Sequence, residues 1–156
     1  MKFGLCLSLS LLFCAPAFAG EPLHMVQDVQ KRANTRILYV PEKRGEDVWR
    51  MPTSEGDCED FALLKRQMLI DRGWNPKDLA LYIVTRDMGY EAHVVLVVKS
   101  LAVVLDMPLE ADKNNRQVSP PVVPVSVFYR ETGYRYFCEV EDLSLGSKPA
   151  KDRCKY

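Results

Sequence analysis

Three apolar segments follow one another between residues 79 and 107, and they commit this part of the chain to a β-sheet. They read LALYIVT (79–85), AHVVLVVKS (92–100) and LAVVLDM (101–107), and each is rich in β-branched residues. The tripeptide DMG between the first two is typical of a hairpin connection, and the third segment begins directly after the second. We therefore predict a meander of three neighbouring strands.

Two helices are predicted before these strands. Residues 23–37 carry apolar side chains at steps of three and four, which is the spacing of an amphipathic helix: Leu23, Val26, Val29, Ala33 and Ile37. A second helix is predicted to begin after Asp57, with Asp60 completing an acidic variant of the capping box, and to end near Gly73. Helices followed by a run of antiparallel strands indicate an α+β fold, in which the N-terminal helices pack on the antiparallel β-sheet.

The segments between and after these elements are predicted from proline, glycine and alternation. Residues 39–56 are polar and contain two prolines and two glycines, which indicates a surface loop. Trp49 lies in this loop and must be buried, either as plain packing or as one wall of a site. Residues 108–124 form a second proline-containing loop, and the alternating residues 125–140 predict a further hairpin.

The first residues have the pattern of a secretory signal peptide. Lys2 precedes an apolar run at residues 3–13, and Ala17-Phe18-Ala19 is a small-x-small cleavage site. The apolar run is shorter than the about 20 residues of a membrane span, and no later segment approaches that length. We therefore expect a signal peptide at residues 1–19 and one exported domain at residues 20–156, periplasmic or secreted, with no transmembrane segment.

The charge balance argues against nucleic acid as a partner. The chain has 21 basic and 21 acidic residues, and removal of residues 1–19 takes away Lys2 and no acidic residue, which leaves a net charge of −1. Basic residues are interspersed with acidic ones along most of the chain, whereas a nucleic-acid-binding domain normally carries a basic face.

Three cysteines remain after the signal peptide: Cys58, Cys138 and Cys154. In an oxidising compartment this odd number predicts one disulfide and one free thiol. Pairing of Cys138 with Cys154 would close a C-terminal loop, stabilise the fold by roughly 3 kcal/mol in the chain-entropy model, and leave Cys58 free. A disulfide that includes Cys58 is the alternative.

Cys58 lies at the predicted start of the second helix, in the sequence EGDCEDF. The free backbone N–H groups and the helix dipole at this position favour the thiolate, which is the nucleophilic form of the side chain. The neighbouring Asp57, Glu59 and Asp60 oppose this effect with their negative charge. A histidine partner in its imidazolium form would decide the balance in favour of the thiolate.

Residues 20–156 contain two histidines, His24 near the start and His93 in the second strand. If the chain reverses near Ser100, His93 faces Asp106 or its neighbour in the third strand. One site would then combine Cys58 as nucleophile, His93 as proton acceptor and Asp106 as the group that orients the ring. Each residue also has a structural explanation, since a strand histidine can be a packed residue and an aspartate at a strand end can form a turn.

The stretches GDCEDFALLK, EAHVVLVV and VVLDMP resemble the bacterial transglutaminase-like cysteine proteinase family, within the transglutaminase/papain-like superfamily. The resemblance covers about residues 49–108. It implies a papain/transglutaminase-like fold and a catalytic triad of Cys58, His93 and Asp106. It also implies that Trp49, which lies upstream of the cysteine, walls the substrate site.

The same resemblance raises the question of a metal. Characterised members of the family are periplasmic proteases, some of which cut large surface adhesins and need calcium. By this resemblance Asp57, Glu59 and Asp60 would form a calcium site, although these carboxylates also suit a helix start. The chain departs from the family in having Met107 where an asparagine is common, and in being shorter than the adhesin-cleaving members.

The residues and the resemblance together predict an exported cysteine peptidase or amidohydrolase. Its Cys-His-Asp triad would cleave a peptide or amide bond of a periplasmic or cell-surface protein through a thioester, and this chemistry itself requires no cofactor. Two alternatives stay open. One is a non-catalytic transglutaminase-like binding module of the cell envelope, and the other is a transglutaminase that crosslinks proteins because an amine replaces water.

Overall fold

The computed structural model describes residues 21–43, 48–86, 91–108, 116–147 and 150–154. The predicted signal peptide and the DMG connection lie outside these residues. The helices are α1 (Glu21–Arg36), α2 (Cys58–Ile70) and α3 (Val125–Thr132). The strands are β1 (Leu38–Tyr39), β2 (Val48–Trp49), β3 (Glu55–Gly56), β4 (Leu79–Arg86), β5 (Glu91–Val98), β6 (Val103–Leu105), β7 (Val123–Pro124), β8 (Arg135–Glu139) and β9 (Gly146–Ser147). Short 3-10 turns lie at Pro76–Asp78, Lys99–Leu101 and Ala150–Arg153.

Five strands form one antiparallel sheet in the order β7-β6-β5-β4-β8. β4 pairs along its whole length with β5, and β5 pairs in turn with β6. The predicted meander is therefore confirmed. Two small two-stranded sheets, β1 with β3 and β2 with β9, accompany it in the described part of the chain.

The third strand of the meander is shorter than predicted. Its expected first residue, Leu101, and the expected last two residues of the second strand belong to the 3-10 turn Lys99–Leu101. There the Asp78 carboxylate accepts the backbone N–H of Ser100 at 2.7 Å. Ala102 follows with a φ of 50°, and this left-handed conformation completes the reversal of the chain before β6 begins.

Helices cover both faces of the sheet. α1 and α2 pack on one face, where their apolar side chains meet alternate residues of β5 such as Val94 and Leu96. α3 packs on the other face, where Phe128 contacts the cluster that contains Val95 and Val97. The predicted α+β arrangement, with N-terminal helices on an antiparallel sheet, is confirmed. No helix among the described residues has both the length and the apolar character that crossing a membrane requires.

The predicted hairpin at residues 125–140 is wrong in its first half. This half is helix α3, and only the second half forms a strand, β8. The helix forms because Val125, Phe128 and Tyr129 lie at helical spacing and pack together against the sheet. It ends at Gly133, whose φ of 73° suits glycine.

The predicted disulfide between Cys138 and Cys154 is present, with the two Cα atoms 5.6 Å apart. It joins β8 to the last turn of the described chain, next to a β-bridge between Val140 and Cys154. Among the described cysteines this leaves Cys58 as the free thiol.

Candidate active site

Cys58 is the first residue of α2, and the chain reaches it through a close approach of β3 to the helix. A Cβ on Gly56 would lie 2.7 Å from the Cβ of Asp60, so only glycine fits there. Asp57 occupies the N-cap position but makes no capping hydrogen bond. The predicted capping box is wrong, because the Asp60 carboxylate instead accepts the backbone N–H of Arg50 at 3.0 Å and lies 3.3 Å from its Nε.

The Cys58 thiol lies between the helix start and strand β5. Its sulfur donates to Oε2 of Glu59 at 3.1 Å, and the backbone N–H of Val94 donates to the sulfur. Burial raises the pKa of the thiol well above its ordinary value, and the negative charge of Glu59 raises it further. The Val94 N–H acts in the opposite direction. Within the described residues the sulfur forms no hydrogen bond with His93, so in this state the thiol is held by a carboxylate.

His93 and Asp106 form a buried pair at the end of the paired part of β5 and β6. Nε2 of His93 lies 2.7 Å from Oδ1 of Asp106, and the two residues are 4% and 6% exposed. The His93 ring stacks on Tyr134, with the ring centroids 5.2 Å apart. Because Asp106 engages Nε2, Nδ1 is the ring nitrogen that remains for a reacting group.

The strand register that produces this pair differs from the predicted one. β5 and β6 pair with Leu96 opposite Leu105, so a regular continuation of β6 would not place Asp106 opposite His93. β6 ends at Leu105, and the Asp106 side chain reaches His93 diagonally. Oδ1 of Asp106 also accepts the backbone N–H of Met107 at 2.7 Å. Met107, the departure from the family pattern, therefore contributes a main-chain donor.

Three side chains hold the main-chain carbonyl oxygen of Asp106. Gln30 Nε2 and Asn34 Nδ2 of α1 donate to it at 2.8 and 2.9 Å, and Lys65 Nζ of α2 donates at 2.6 Å. All three residues are buried, Asn34 and Lys65 completely. The sequence analysis missed this cluster. The available signal was that Gln30 and Asn34, four residues apart, follow the apolar stripe of the predicted first helix.

A group of carboxylates lies beside the thiol. One oxygen each from Glu42, Asp57 and Glu59 lie within 4.8 Å of one another. Burial raises the pKa of Glu59 to about 8, with a further contribution from the charge of Asp57, and burial also raises the pKa of Asp57. Oδ1 of Asp57 is buried and receives no hydrogen bond from the described residues. Oxygen donors of this kind suit a hard cation such as Ca²⁺.

The structure thus brings together only part of the predicted metal set. Asp57 and Glu59 belong to the carboxylate group, whereas Asp60 is paired with Arg50 and lies outside it. Burial raises the pKa of Asp60 to about 6, and the N–H of Arg50 counteracts this. Glu42, which the sequence analysis did not single out, takes the third position in the group. Glu42 lies 15 residues before Asp57 in the chain, and composition alone does not reveal that the two side chains meet.

Trp49 is buried in the core, with 1% of its surface exposed. The guanidinium of Arg153 lies 4.4 Å from the centre of its ring. Arg153 in turn donates to the carbonyl oxygens of Ser144 and Gly146 at 2.6 and 2.8 Å. Trp49 is therefore packed under the C-terminal segment. Its role as a wall of the substrate site stays a prediction.

Comparison with known proteins gives a family and a fold. A family model described as bacterial transglutaminase-like cysteine proteinase, BTLCP, matches residues 14–118. No curated protein sequence matches the chain. Calcium-bound LapG of Legionella pneumophila is 22% identical, with a TM-score of 0.59 over 85% of this chain and 71% of that chain. EGTA-treated LapG of the same organism is 20% identical, with a TM-score of 0.58 over 83% and 72% of the two chains. The predicted transglutaminase-like fold is confirmed.

Buried Lys65 predicts a distinctive pH dependence of stability. Burial lowers the pKa of Lys65 from 10.5 to about 7, although the charge of Asp106 opposes the shift. Between these two pH values the unfolded chain retains a proton that the folded chain has released, so folding becomes more favourable as the pH rises. We expect the free energy of unfolding of the wild type, relative to Lys65→Met, to increase from about pH 7 to 10.5.

Urea unfolding of both proteins at several pH values measures this difference. Lys77→Met, which replaces an exposed lysine, should show no such trend. A constant difference between the wild type and Lys65→Met over this range would contradict the prediction.

Proposed function

Because this chain belongs to the family of bacterial transglutaminase-like cysteine proteinases, and so is a cysteine protease, we propose that Cys58, His93 and Asp106 are its catalytic triad. The main support is the buried bond between His93 Nε2 and Asp106 Oδ1. A carboxylate on this nitrogen fixes the tautomer and the orientation of the ring, as a catalytic histidine requires. The helix start and β5 also meet at the thiol, because the N–H of Val94, next to His93, donates to the sulfur.

The proposed reaction proceeds through a thioester. Nδ1 of His93 takes the thiol proton, and the thiolate of Cys58 forms a C–S bond with the carbonyl carbon of a peptide or amide. The backbone N–H of Cys58, in the first turn of α2, would donate to the oxyanion. His93 then protonates the leaving amine as the C–N bond breaks. Water, deprotonated by His93, hydrolyses the thioester and releases the acid and the thiol.

The carboxylates beside the thiol are the proposed calcium site of this enzyme. Glu42, Asp57 and Glu59 would hold the ion, because their oxygens converge and Oδ1 of Asp57 is buried without a donor among the described residues. Asp60, the remaining member of the predicted set, lies outside this group and is paired with Arg50. Arg50 also lies 3.3 Å from Oε1 of Glu42, so calcium would compete with this arginine for the Glu42 carboxylate. Bound calcium would neutralise this negative charge and so favour the thiolate. Structures of LapG in calcium-bound and EGTA-treated forms support the choice of ion.

Export completes the proposal. A signal peptide at residues 1–19 would direct a single domain, residues 20–156, to the periplasm or the medium. The disulfide between Cys138 and Cys154 fits an oxidising compartment. The proposed substrate is therefore a protein of the periplasm or the cell surface. Transfer to an amine instead of water uses the same acyl-enzyme, so crosslinking is the alternative outcome of the same triad.

One observation favours the non-catalytic alternative, a binding module of the cell envelope. In the described structure the Cys58 thiol is hydrogen-bonded to Glu59, and the pKa of the thiol is raised and not lowered. The two candidates therefore differ in whether His93 activates Cys58, and the reactivity of the thiol distinguishes them.

The triad predicts histidine-dependent reactivity of Cys58 toward iodoacetamide. At pH 6.5 an ordinary thiol is about 1% ionised, whereas one paired with imidazolium is about half ionised. After allowance for the lower nucleophilicity of a less basic thiolate, labelling in 1 mM calcium should be about five- to tenfold faster in the wild type than in His93→Ala. Asp106→Asn should fall between them. The measurement is the labelling rate by mass spectrometry, with a peptide-release assay against casein alongside.

The control is His24→Ala, which replaces an exposed histidine of α1 and should label like the wild type. In protein that lacks residues 1–19, Cys58→Ser should not label, because the other two cysteines of that form, Cys138 and Cys154, are joined. Equal labelling of wild type and His93→Ala, with a midpoint near the ordinary thiol pKa of about 8.5, would favour the binding module.

The carboxylate group predicts specific stabilisation by calcium. At a free concentration 100-fold above the dissociation constant, calcium should raise the free energy of unfolding by about 2.7 kcal/mol. Glu42→Gln should weaken calcium binding at least about tenfold, because it removes one charged donor. Thermal unfolding with calcium, magnesium and EGTA measures this effect. Glu55→Gln, at an exposed position of β3, is the matched control. Equal responses of Glu42→Gln and wild type would exclude Glu42 as a ligand.

The signal peptide predicts a mature form that begins at Gly20 or Glu21. Intact-mass analysis of protein recovered from the periplasm or the medium should show this start, with two fewer hydrogens for the disulfide. Ala19→Arg should prevent cleavage, because the position before the cut requires a small residue. Recovery of exported protein with residues 1–19 still attached would contradict the prediction.

A further inference from the structure

The carbonyl oxygen of Asp106 is the point at which α1, α2 and the end of β6 converge. Gln30 and Asn34 reach it from α1, and Lys65 reaches it from α2. A carbonyl oxygen has two lone pairs, and three donors at 2.6–2.9 Å use its accepting capacity fully. The position of the oxygen is therefore fixed from two helices. β6 pairs with β5 only up to Leu105, so no strand pairing extends to Asp106. The three side chains therefore take the place of strand pairing at this residue.

The two helices that supply these donors also carry other parts of the site. Lys65 follows Cys58 by seven residues, which is about two turns of the same helix. Helix α2 thus begins at Cys58 and also fixes the main chain of Asp106, the residue that orients His93. On its other side, the Asp106 carboxylate is held by the Met107 N–H and by His93 Nε2. Asp106 is consequently restrained at both its main chain and its side chain.

Stability alone does not explain this arrangement. Lys65 is completely buried, and burial lowers its pKa to about 7, which shows that the charged form is disfavoured there. Oε1 of Gln30 and Oδ1 of Asn34 are buried and have no hydrogen-bond partner among the described residues. Unpaired buried polar atoms destabilise a fold, and apolar side chains at these positions would avoid them. Lys65 therefore serves the position of Asp106 more than the stability of the core, whereas the amides of Gln30 and Asn34 also donate to Pro120 O and Ser119 Oγ, each at 3.0 Å.

We propose that Lys65, assisted by Gln30 and Asn34, is a positioning residue that holds the Asp106 main chain so that the Asp106 carboxylate orients the His93 ring. The effect on catalysis depends on the proposed triad. The effect on the geometry of the His93–Asp106 bond does not depend on the triad. The two consequences are measured separately.

The test uses Lys65→Met in the whole chain, expressed with residues 1–19 and purified after export. Methionine keeps an unbranched chain of similar length but cannot donate to the carbonyl. The first measurement is the ring N–H signal of His93 in proton–nitrogen NMR, which reports its bond to Asp106. The second is iodoacetamide labelling of Cys58 at pH 6.5. Lys31→Met, which replaces an exposed lysine of α1, is the control.

We expect Lys65→Met to remain folded, to shift or broaden the His93 ring signal, and to label about twofold more slowly than the wild type. This is the effect of a one-unit rise in the pKa of the thiol at pH 6.5, after the same allowance for the nucleophilicity of the thiolate. Gln30→Met, which removes one donor to Asp106 together with the bond to Pro120 O and adds no charge, should change both measurements in the same direction by less. Lys31→Met should change neither. An unaltered His93 signal in a folded Lys65→Met would overturn the proposal.

Two further outcomes are also decisive. If Lys65→Met does not fold, Gln30→Met decides, and an unaltered His93 signal in that variant overturns the proposal. If the wild type labels no faster than His93→Ala, the proposed triad fails, and the NMR signal alone then decides whether Lys65 positions Asp106.

Discussion

The packing of α2 against β5 is the contact on which the candidate site depends. It brings the first residue of a helix to the backbone of a central strand, where the N–H of Val94 meets the sulfur of Cys58. β3 also lies against the first turn of α2, because Gly56 has no side chain to separate them. Without this contact, the thiol and the imidazole would lie on two elements with no fixed relation.

The start of α2 combines two opposing electrostatic effects. The helix dipole and the free N–H groups favour negative charge at Cys58, whereas Glu59 and Asp57 place negative charge beside it. In the described structure burial, aided by these carboxylates, raises the pKa of the thiol, and the thiol keeps its proton. The same carboxylates are the only described group of at least three that suits a metal ion. A cation there would change the balance at the thiol without moving the helix, so the nucleophile and the metal share one electrostatic environment.

The sequence predicted the elements of the site better than their contacts. The meander, the free Cys58 and the disulfide followed from composition, spacing and cysteine count, which depend on local properties of the chain. The strand register did not follow, because the 3-10 turn Lys99–Leu101 consumes residues that alternation assigns to a strand. Helix α3 was mistaken for a strand because its eight residues fit two patterns. Apolar and polar residues alternate in part of it, and its apolar residues also lie at helical spacing.

The contacts that were missed are all long-range. Glu42 joins Asp57 and Glu59 from another loop, and Arg50 draws Asp60 away from them. Lys65 appears in the sequence as one more polar residue of a helix, and only the structure shows it buried against Asp106. Such pairings depend on how distant segments cross, and neither periodicity nor residue type contains that information.

The edges of the five-stranded sheet also affect how this protein meets other chains. At one edge, β7 is two residues long and ends in Pro124, which has no N–H to offer a neighbour. At the other edge, β8 pairs with an irregular register next to Ile83, and its end is tied to Cys154. Short, irregular or tethered edges discourage the addition of a foreign strand. A protease meets unfolded and extended polypeptides, and edges of this kind disfavour their addition to the sheet and the aggregation that would follow.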